Sequence, residues 1–173
     1  VLSIENAVLP ISYLAGRIRD FHASFIDMEV PENLNNGDAL LVPGIVTTTL
    51  NANGKPQFGT SNIVSIPSNS VSDWFEKNEY NLEKPYSISF HLQEDESAHL
   101  FEEMDFFPID NIMFGNELNE HNYHFTYEVS AYFIFREGTS IIMGSQDDAW
   151  LFINNQLVID LGEYCITSFN NYY

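Results

Sequence analysis

The sequence has few basic residues and almost no cysteine. Its 173 residues include 25 acidic but only 6 basic side chains, which gives a formal net charge of −19. A surface with this much negative charge repels phosphate backbones and anionic lipids. No nucleic-acid partner is therefore expected. The single cysteine, Cys165, cannot form an intrachain disulfide, which argues against a small disulfide-stapled extracellular module. No run of about 18 apolar residues occurs, so no membrane span is predicted.

Apolar residues are plentiful and follow a period of two. They make up 45% of the chain, and 14% of all residues are aromatic, which is enough material for a buried core. In "NYHFTYEVSAYFIF", the odd positions from Tyr123 to Phe135 are apolar, and the even positions begin polar. "PYSISFHLQ" alternates in the same way, and its inward residues are Tyr86, Ile88, Phe90 and Leu92. This alternation is typical of half-buried strands.

Turn and helix signals complete the pattern. "AWLFINNQLVIDL" predicts two strands joined at Asn154-Asn155, and "IVTTTLNANGKPQF" predicts a hairpin around Asn53-Gly54. Helix is scarce: "SNSVSDWFEKN" predicts about two turns, with Ser70 as the N-cap. Short strands separated by turn-rich loops predict an all-β antiparallel β-sandwich.

No catalytic motif stands out, so the chain is not predicted to be an enzyme. The sequence contains no G-x-S-x-G elbow, H-E-x-x-H helix or Walker loop. Five histidines are scattered along it: His22, His91, His99, His121 and His124. The last two form "HNYH", but on a strand this spacing points the rings to opposite faces, which favours surface histidines over a shared metal. With so many acids, no particular carboxylate pair indicates glycoside hydrolysis.

Two adjacent carboxylates, Asp147 and Asp148, precede an apolar strand in "GSQDDAWLFI". Calcium takes six to eight oxygen ligands, and two consecutive carboxylates supply some of them if both face one side. A cis peptide between them would achieve this at about 3–4 kcal/mol, which only a strong gain such as ion binding offsets. The alternative is an ordinary solvated turn. Taken alone, the residues favour the turn.

A second unusual segment, "FFPIDNIMFGNE", spans residues 106–117. It places aromatic side chains around Asp110, Asn116 and Glu117. One interpretation is a rim of oxygen donors beside aromatic faces, which suits a polyol ligand. The other is a long loop that closes one end of the sandwich with its aromatic residues. Both interpretations stay open on the residues alone.

Several motifs occur in the order found in one family. These are "GRIRDFHASFIDME", "NANGKPQF", "VSDWF", "FFPIDNIMFGNE", "NYHFTYEVSAYFIF" and "GSQDDAWLFINNQLVIDLG". Together they resemble fibro-slime domains, a branch of the anthrax protective-antigen-like β-sandwich superfamily, which is related to the heads of flocculin-type adhesins. The resemblance divides the chain into a lead-in segment (1–15), the domain (16–162) and a divergent or truncated segment (163–173).

The resemblance implies a jelly-roll-like sandwich with one or two short helices in a secreted or cell-surface protein. In sugar-binding relatives a cis-linked Asp-Asp pair holds calcium, and Asp147 and Asp148 match that pair. The resemblance therefore shifts the interpretation from a bare turn to a calcium site. Gln146 stands where relatives have a small residue or another Asp, and "EYCITSFNNYY" replaces the usual continuation after "VIDLG".

The resulting hypothesis is a non-enzymatic module that binds glycan or cell-surface polysaccharide through calcium. Asp147 and Asp148 are the predicted metal ligands. The lower-ranked ligand-binding candidates are Asp110, Asn116, Glu117, Gln146 and Trp150. The alternative is a structural or protein-interaction module of an extracellular coat, filament or signalling protein, with other extracellular chains as partners.

Overall fold

The period-two stretches become antiparallel strands in the structure, a computed structural model. It describes residues 1–5, 7, 13–25, 27, 44–59, 71–94 and 98–161, and the backbone of 165–170. The strands are β1 (Leu2–Glu5), β2 (Tyr13–Phe21), β3 (Asn81–Ser89), β4 (His91–Leu92), β5 (Ala98–Phe101), β6 (Phe125–Val129), β7 (Ser140–Ser145), β8 (Ala149–Ile153), β9 (Gln156–Leu161) and β10 (Cys165–Asn170). A 3₁₀ helix spans Val71–Phe75. The predicted all-β class is confirmed.

The strands form three antiparallel sheets. A five-stranded sheet has the order β10-β7-β1-β5-β4, a three-stranded sheet has the order β3-β2-β6, and β8 and β9 form a hairpin. Their apolar faces meet in a first core cluster, whose buried members are Ile4, Leu14, Ile88, Phe90 and Ile141. Residues of the hairpin, Leu151 and Ile153, pack against it. All three sheets therefore contribute to one core.

Strand β8 lies between two clusters, which explains why every one of its residues is apolar. Leu151 and Ile153 face the first cluster, whereas Trp150 and Phe152 pack on a second cluster. The buried members of this second cluster are Ile45, Val46 and Val71. Since successive side chains of a strand point to opposite faces, alternation across β8 divides its residues between the two clusters.

Strand β2 is the centre of the three-stranded sheet and is covered on both faces near its end. Its last four residues, Ile18 to Phe21, are all buried, and two of them, Arg19 and Asp20, are charged. At Gly16 the neighbouring strand comes so close that an added Cβ would lie 2.5 Å from the carbonyl oxygen of Glu128. Only glycine fits at that position without a shift of the backbone.

Two predicted turns are confirmed. Asn154 and Asn155 join β8 to β9, and both have positive φ (51° and 65°), as a two-residue hairpin turn requires. Gly54 also has positive φ (72°), and its N–H donates to the carbonyl of Asn51 (2.9 Å). The arms of this second hairpin are irregular, however, with a single bridge between Val46 and Phe58 in place of two strands.

The predicted long strand from Tyr123 to Phe135 is wrong at both ends. Only Phe125–Val129 forms a strand, because β2 pairs with it over just five residues. Tyr123 and Phe135 were expected to face inward, yet they are 51% and 48% exposed. Leu92 was also expected inward and is 50% exposed, since β4 is a two-residue strand at the edge of its sheet.

The predicted helix is shorter than two α-helical turns. It is the five-residue 3₁₀ helix, and its buried residue is Val71. The predicted N-cap, Ser70, lies outside the described residues. No helix in the described part of the chain has the length and apolar character needed to cross a membrane.

Candidate functional site

The β7–β8 turn, residues 145–149, carries the predicted calcium ligands. Gln146, Asp147 and Asp148 are all exposed. The N–H of Asp148 donates to Oδ1 of Asp147 (2.7 Å), and the N–H of Asp147 donates to the hydroxyl of Ser145 (3.3 Å). The peptide bond between the aspartates is trans, so the cis linkage that the resemblance implies is not found. Local hydrogen bonds shape this turn.

The donor set of the turn suits a hard cation in its chemistry. Asp147 and Asp148 offer carboxylate oxygens and Gln146 an amide oxygen, which are ligand types that calcium prefers. These side chains supply only some of the six to eight oxygen ligands that calcium takes, so carbonyls, water or a sugar would complete the coordination shell. In the described part of the chain, no three His, Cys, Asp or Glu side chains are grouped as a metal site.

The 106–124 loop, which forms most of the connection between β5 and β6, contains three further candidates. Their polar atoms form hydrogen bonds within the loop or with residues that follow β2. Asp110 accepts the N–H of Asn122 (2.7 Å) and lies 2.6 Å from Nδ1 of His121. Asn116 accepts the N–H of Asn111 (2.7 Å) and donates to the carbonyl of Glu120 (2.8 Å). These contacts fix the shape of the loop.

The backbone of this loop is unusual, which explains why it needs so many anchors. Four non-glycine residues in it have positive φ: Asn111, Met113, Glu117 and Leu118. Such conformations cost on the order of 1 kcal/mol each and persist only where surrounding contacts impose them. The hydrogen bonds of Asp110 and Asn116 supply part of that constraint. They support the interpretation of the segment as a loop that closes one end of the fold.

Asp20 on β2 anchors the 106–124 loop. The sequence motifs did not identify it as a site residue. Its buried carboxylate accepts the N–H of Phe114 (2.7 Å) and the side-chain amide of Asn122 (2.9 Å). Burial raises the pKa of Asp20, although the two hydrogen bonds lower it in part. The signal in the sequence is an acidic residue inside the apolar strand β2, where aspartate is unfavourable without a partner.

Glu117 connects the loop to the residues that follow β2, and it also contacts His124 at the end of the loop. It accepts the N–H of Ala23 (3.0 Å), and its other oxygen lies 3.0 Å from Nδ1 of His124. The Nε2 atom of His22 lies 4.0 Å away. Burial by itself raises the pKa of Glu117, but these hydrogen bonds and the charges of both histidines outweigh it and lower the pKa.

The prediction of surface histidines is wrong for His124, whereas His121 is partly exposed. Their side chains are 33% and 13% exposed, and each is paired with a different carboxylate. Neither residue lies on a strand, so the argument from opposite faces of a strand does not apply. Hydrogen bonding with Asn122 and His121 lowers the pKa of Asp110, which keeps that carboxylate ionised.

Replacing Glu117 with glutamine is expected to reduce stability by about 1 kcal/mol near pH 6, because the charged acceptor for His124 is lost. The pKa of Glu117 is lower in the folded chain, so its contribution is present above the unfolded pKa of about 4.3 and is lost as pH falls through the folded pKa. Urea denaturation between pH 3 and 7 should show the difference shrinking at low pH. The matched control is Glu120→Gln, an exposed carboxylate on the same loop. A difference that does not change with pH would contradict this role.

Trp150 lies half-buried in the second core cluster. Its ring packs near Trp74 and Phe75, with centroids 6.4 Å apart in both pairs. Its indole N–H donates to Oδ1 of Asp160 (2.9 Å), and Oδ2 of Asp160 accepts the N–H of Gly44 (2.8 Å). The structure thus gives Trp150 a packing role that links the hairpin to the segment at Gly44.

The candidates fall into three separate groups. Asp110, Asn116 and Glu117 share the 106–124 loop, the β7–β8 turn holds Gln146 with the two aspartates, and Trp150 belongs to the second cluster. None of the hydrogen bonds and ion pairs described above links one group to another.

Sequence comparison finds relatives in Dictyostelium discoideum. The chain is 30% identical to Protein psiC over 154 residues, which cover 79% of this chain and 29% of that protein. It is 30% identical to Protein psiJ, covering 88% of this chain and 26% of that protein, and 30% identical to Protein psiD, covering 86% and 32%. The chain thus spans about a third or less of these relatives. No family model and no solved structure matches.

Proposed function

We propose that this chain is a fibro-slime-like, non-enzymatic module of a secreted or cell-surface protein and binds carbohydrate through calcium. The observation that carries the proposal is the β7–β8 turn, where Asp147 and Asp148 are exposed side by side between two ordered strands. Oxygen-rich side chains at an exposed turn of an all-β scaffold suit a cation that is shared with a sugar. The motif order described above adds the expectation from the resemblance.

In this proposal the two aspartates hold the ion, and Gln146 contributes its amide oxygen or contacts the sugar. Calcium, when bound, would offer open coordination positions to two neighbouring hydroxyls of a sugar. Strands β7 and β8 fix the ends of the turn, since both are paired with neighbouring strands. Affinity at a single site of this kind is weak, and multivalent display raises it.

Calcium is expected to stabilise the protein through this turn. At a calcium concentration 100 times the dissociation constant, linkage adds about 2.7 kcal/mol to the free energy of unfolding. For extracellular modules that constant is about 10⁻⁴–10⁻³ M. Thermal unfolding with and without calcium should show the shift in the wild type but not in Asp147→Asn with Asp148→Asn. The control variant is Glu94→Gln with Glu137→Gln, which removes two exposed charges elsewhere. If titration calorimetry of the wild type detects no heat of calcium binding, the mechanism is refuted.

A glycan array with and without a chelator tests the carbohydrate part of the proposal. Binding that disappears with chelator and in the double aspartate variant supports it. Binding that survives both treatments would assign the sugar to another surface.

The second candidate is a structural or protein-interaction module, favoured by one specific observation. Directly after the edge strand β6, three large apolar side chains are exposed: Tyr132 (90%), Ile134 (60%) and Phe135 (48%). Clustered exposed apolar residues are typical of contact surfaces. A glycan array that stays silent in the presence of calcium would favour this candidate over the first.

A further inference from the structure

A cavity of about 150 Å³ opens beside β3 and β5, where the 106–124 loop begins. Four aromatic residues, two acidic residues and a proline line it. The aromatic residues are Tyr86, Phe101, Phe106 and Phe107, and the acidic residues are Glu103 and Asp105. Neither acidic residue belongs to the calcium site or to the loop anchors described above, and no basic residue lines the cavity.

The aromatic side chains are held in place by one another. The ring of Phe106 meets Tyr86 and Phe101 edge to face, with centroids 5.9 and 6.0 Å apart. Phe107 is stacked on His121 at 4.0 Å with an interplanar angle of 7°. Aromatic rings carry negative charge on their faces, so a preformed aromatic wall of this kind attracts an organic cation.

The two acidic residues are exposed beside this wall. The carbonyl of Asp105 accepts the N–H of Phe107 (3.0 Å), which ties the acidic segment to the aromatic one. Among the described residues, neither Glu103 nor Asp105 forms an ion pair with a basic side chain. Three of the six basic residues of the chain pair with other acids, on and beside the three-stranded sheet.

We propose that this aromatic and acidic cavity binds a cationic side chain, lysine or arginine, of a basic partner protein. Aromatic side chains beside carboxylates suit such a cation, because its apolar stem packs against the rings while its charge meets the acids. A calcium ion is a poorer fit, since it wants six to eight oxygens and four of the lining residues are aromatic. A volume of about 150 Å³ is enough for a group the size of a benzene ring, so the end of a lysine or arginine side chain fits.

The charge of the whole chain supports a basic partner. A net charge of −19 steers positively charged proteins toward the surface and disfavours acidic ones. The proposal is independent of calcium and of sugar, because neither Asp147 nor Asp148 lines the cavity.

The test is an NMR titration with the tripeptides Gly-Lys-Gly and Gly-Arg-Gly, capped at both ends, in buffer containing chelator and no sugar. Backbone amides of Tyr86 and of residues 101–107 are expected to shift with both peptides, and the tighter peptide identifies the preferred cation. The neutral control is Gly-norleucine-Gly, which keeps the apolar stem. Equal shifts with this control, or no shift at millimolar peptide, would overturn the proposal.

Variants separate the cavity from general surface charge. Glu103→Gln with Asp105→Asn is expected to weaken binding about tenfold, whereas Glu94→Gln with Glu137→Gln leaves it within twofold. Phe107→Leu removes one ring and is expected to weaken binding about two- to fivefold. Equal losses in the two acidic variants would overturn the proposal, as would tighter binding of glucosamine than of either peptide. Because calcium is absent throughout, failure here leaves the calcium proposal to its own test.

Discussion

Replacing Arg19 with alanine is expected to lower the free energy of unfolding by about 3–5 kcal/mol. Arg19 lies on β2 with its side chain only 3% exposed. Its Nη2 atom is 2.8 Å from Glu83 on β3, and its Nη1 atom is 3.0 Å from Glu128 on β6. The guanidinium therefore connects all three strands of the sheet.

The loss has two physical sources. Removing Arg19 leaves Glu83 and Glu128, whose side chains are 15% and 28% exposed, with only Arg17 and Lys55 to balance their charges. It also removes the packed stem of the side chain, which covers apolar surface. The Nε and Nη1 atoms of Arg19 are buried and form no hydrogen bond, so Nη1 contacts Glu128 as an ion pair without hydrogen-bond geometry. The cost of burying these two atoms is already part of the stability of the native protein. The Arg19 ion pairs matter for stability mainly because their loss leaves two carboxylates without the cation that they share.

Urea denaturation at pH 7 measures the effect, and two further variants interpret it. Arg17→Ala removes a partner of Glu83 that is 57% exposed, so about 0–1 kcal/mol is expected. Arg19→Met combined with Glu83→Leu and Glu128→Leu replaces the buried charges with apolar groups and should recover most of the loss. If Arg19→Ala costs no more than Arg17→Ala, the charged contact contributes little to stability.

Replacing Asp20 with alanine is expected to cost about 2–4 kcal/mol and to loosen the 106–124 loop. The change leaves the N–H of Phe114 and the side-chain amide of Asn122 without their acceptor. An unsatisfied buried donor costs about 1–3 kcal/mol, and the positive-φ residues of the loop lose part of their constraint. Hydrogen exchange should therefore quicken in the loop more than in the five-stranded sheet.

Two variants bracket this prediction. Asp20→Asn keeps one acceptor oxygen and removes a carboxylate whose pKa is raised by burial, so its cost should be smaller than that of alanine. In calcium-free buffer, Asp147→Ala removes an exposed aspartate and should change stability by less than about 0.5 kcal/mol. Uniform loss of protection across the whole protein in Asp20→Ala would show that the carboxylate does not act through the loop.

The period-two pattern correctly predicted which side chains face the core where a strand is paired with a neighbour along its length and packs against the core. Tyr86, Ile88 and Phe90 face the core as expected, and Asn154-Asn155 forms the predicted turn. The same periodicity failed from Tyr123 to Phe135, because no neighbouring strand extends far enough to pair with the ends of that segment. A local pattern reports what a segment prefers, and pairing depends on distant residues.

The candidate site shows the same division. Exposed aspartates in a turn before β8 follow from local sequence, because a polar cluster between two apolar strands is a turn signal. The sequence predicts Asp110 and Glu117 as ligand candidates, whereas in the structure their oxygens accept hydrogen bonds from Asn122 and Ala23. Composition cannot reveal such a contact, because Glu117 and Ala23 are 94 residues apart in the chain.

The sequence by itself determined the all-β class, the hairpin at Asn154-Asn155 and the acidic character of the surface, since these depend on short-range periodicity, turn preferences and simple charge balance. Only the tertiary structure decided that Arg19 and Asp20 are buried anchors, that Trp150 is a packing residue and that an aromatic cavity lies beside Glu103 and Asp105. Each of these depends on strands and loops that are remote in sequence and meet only when the sheets pack together.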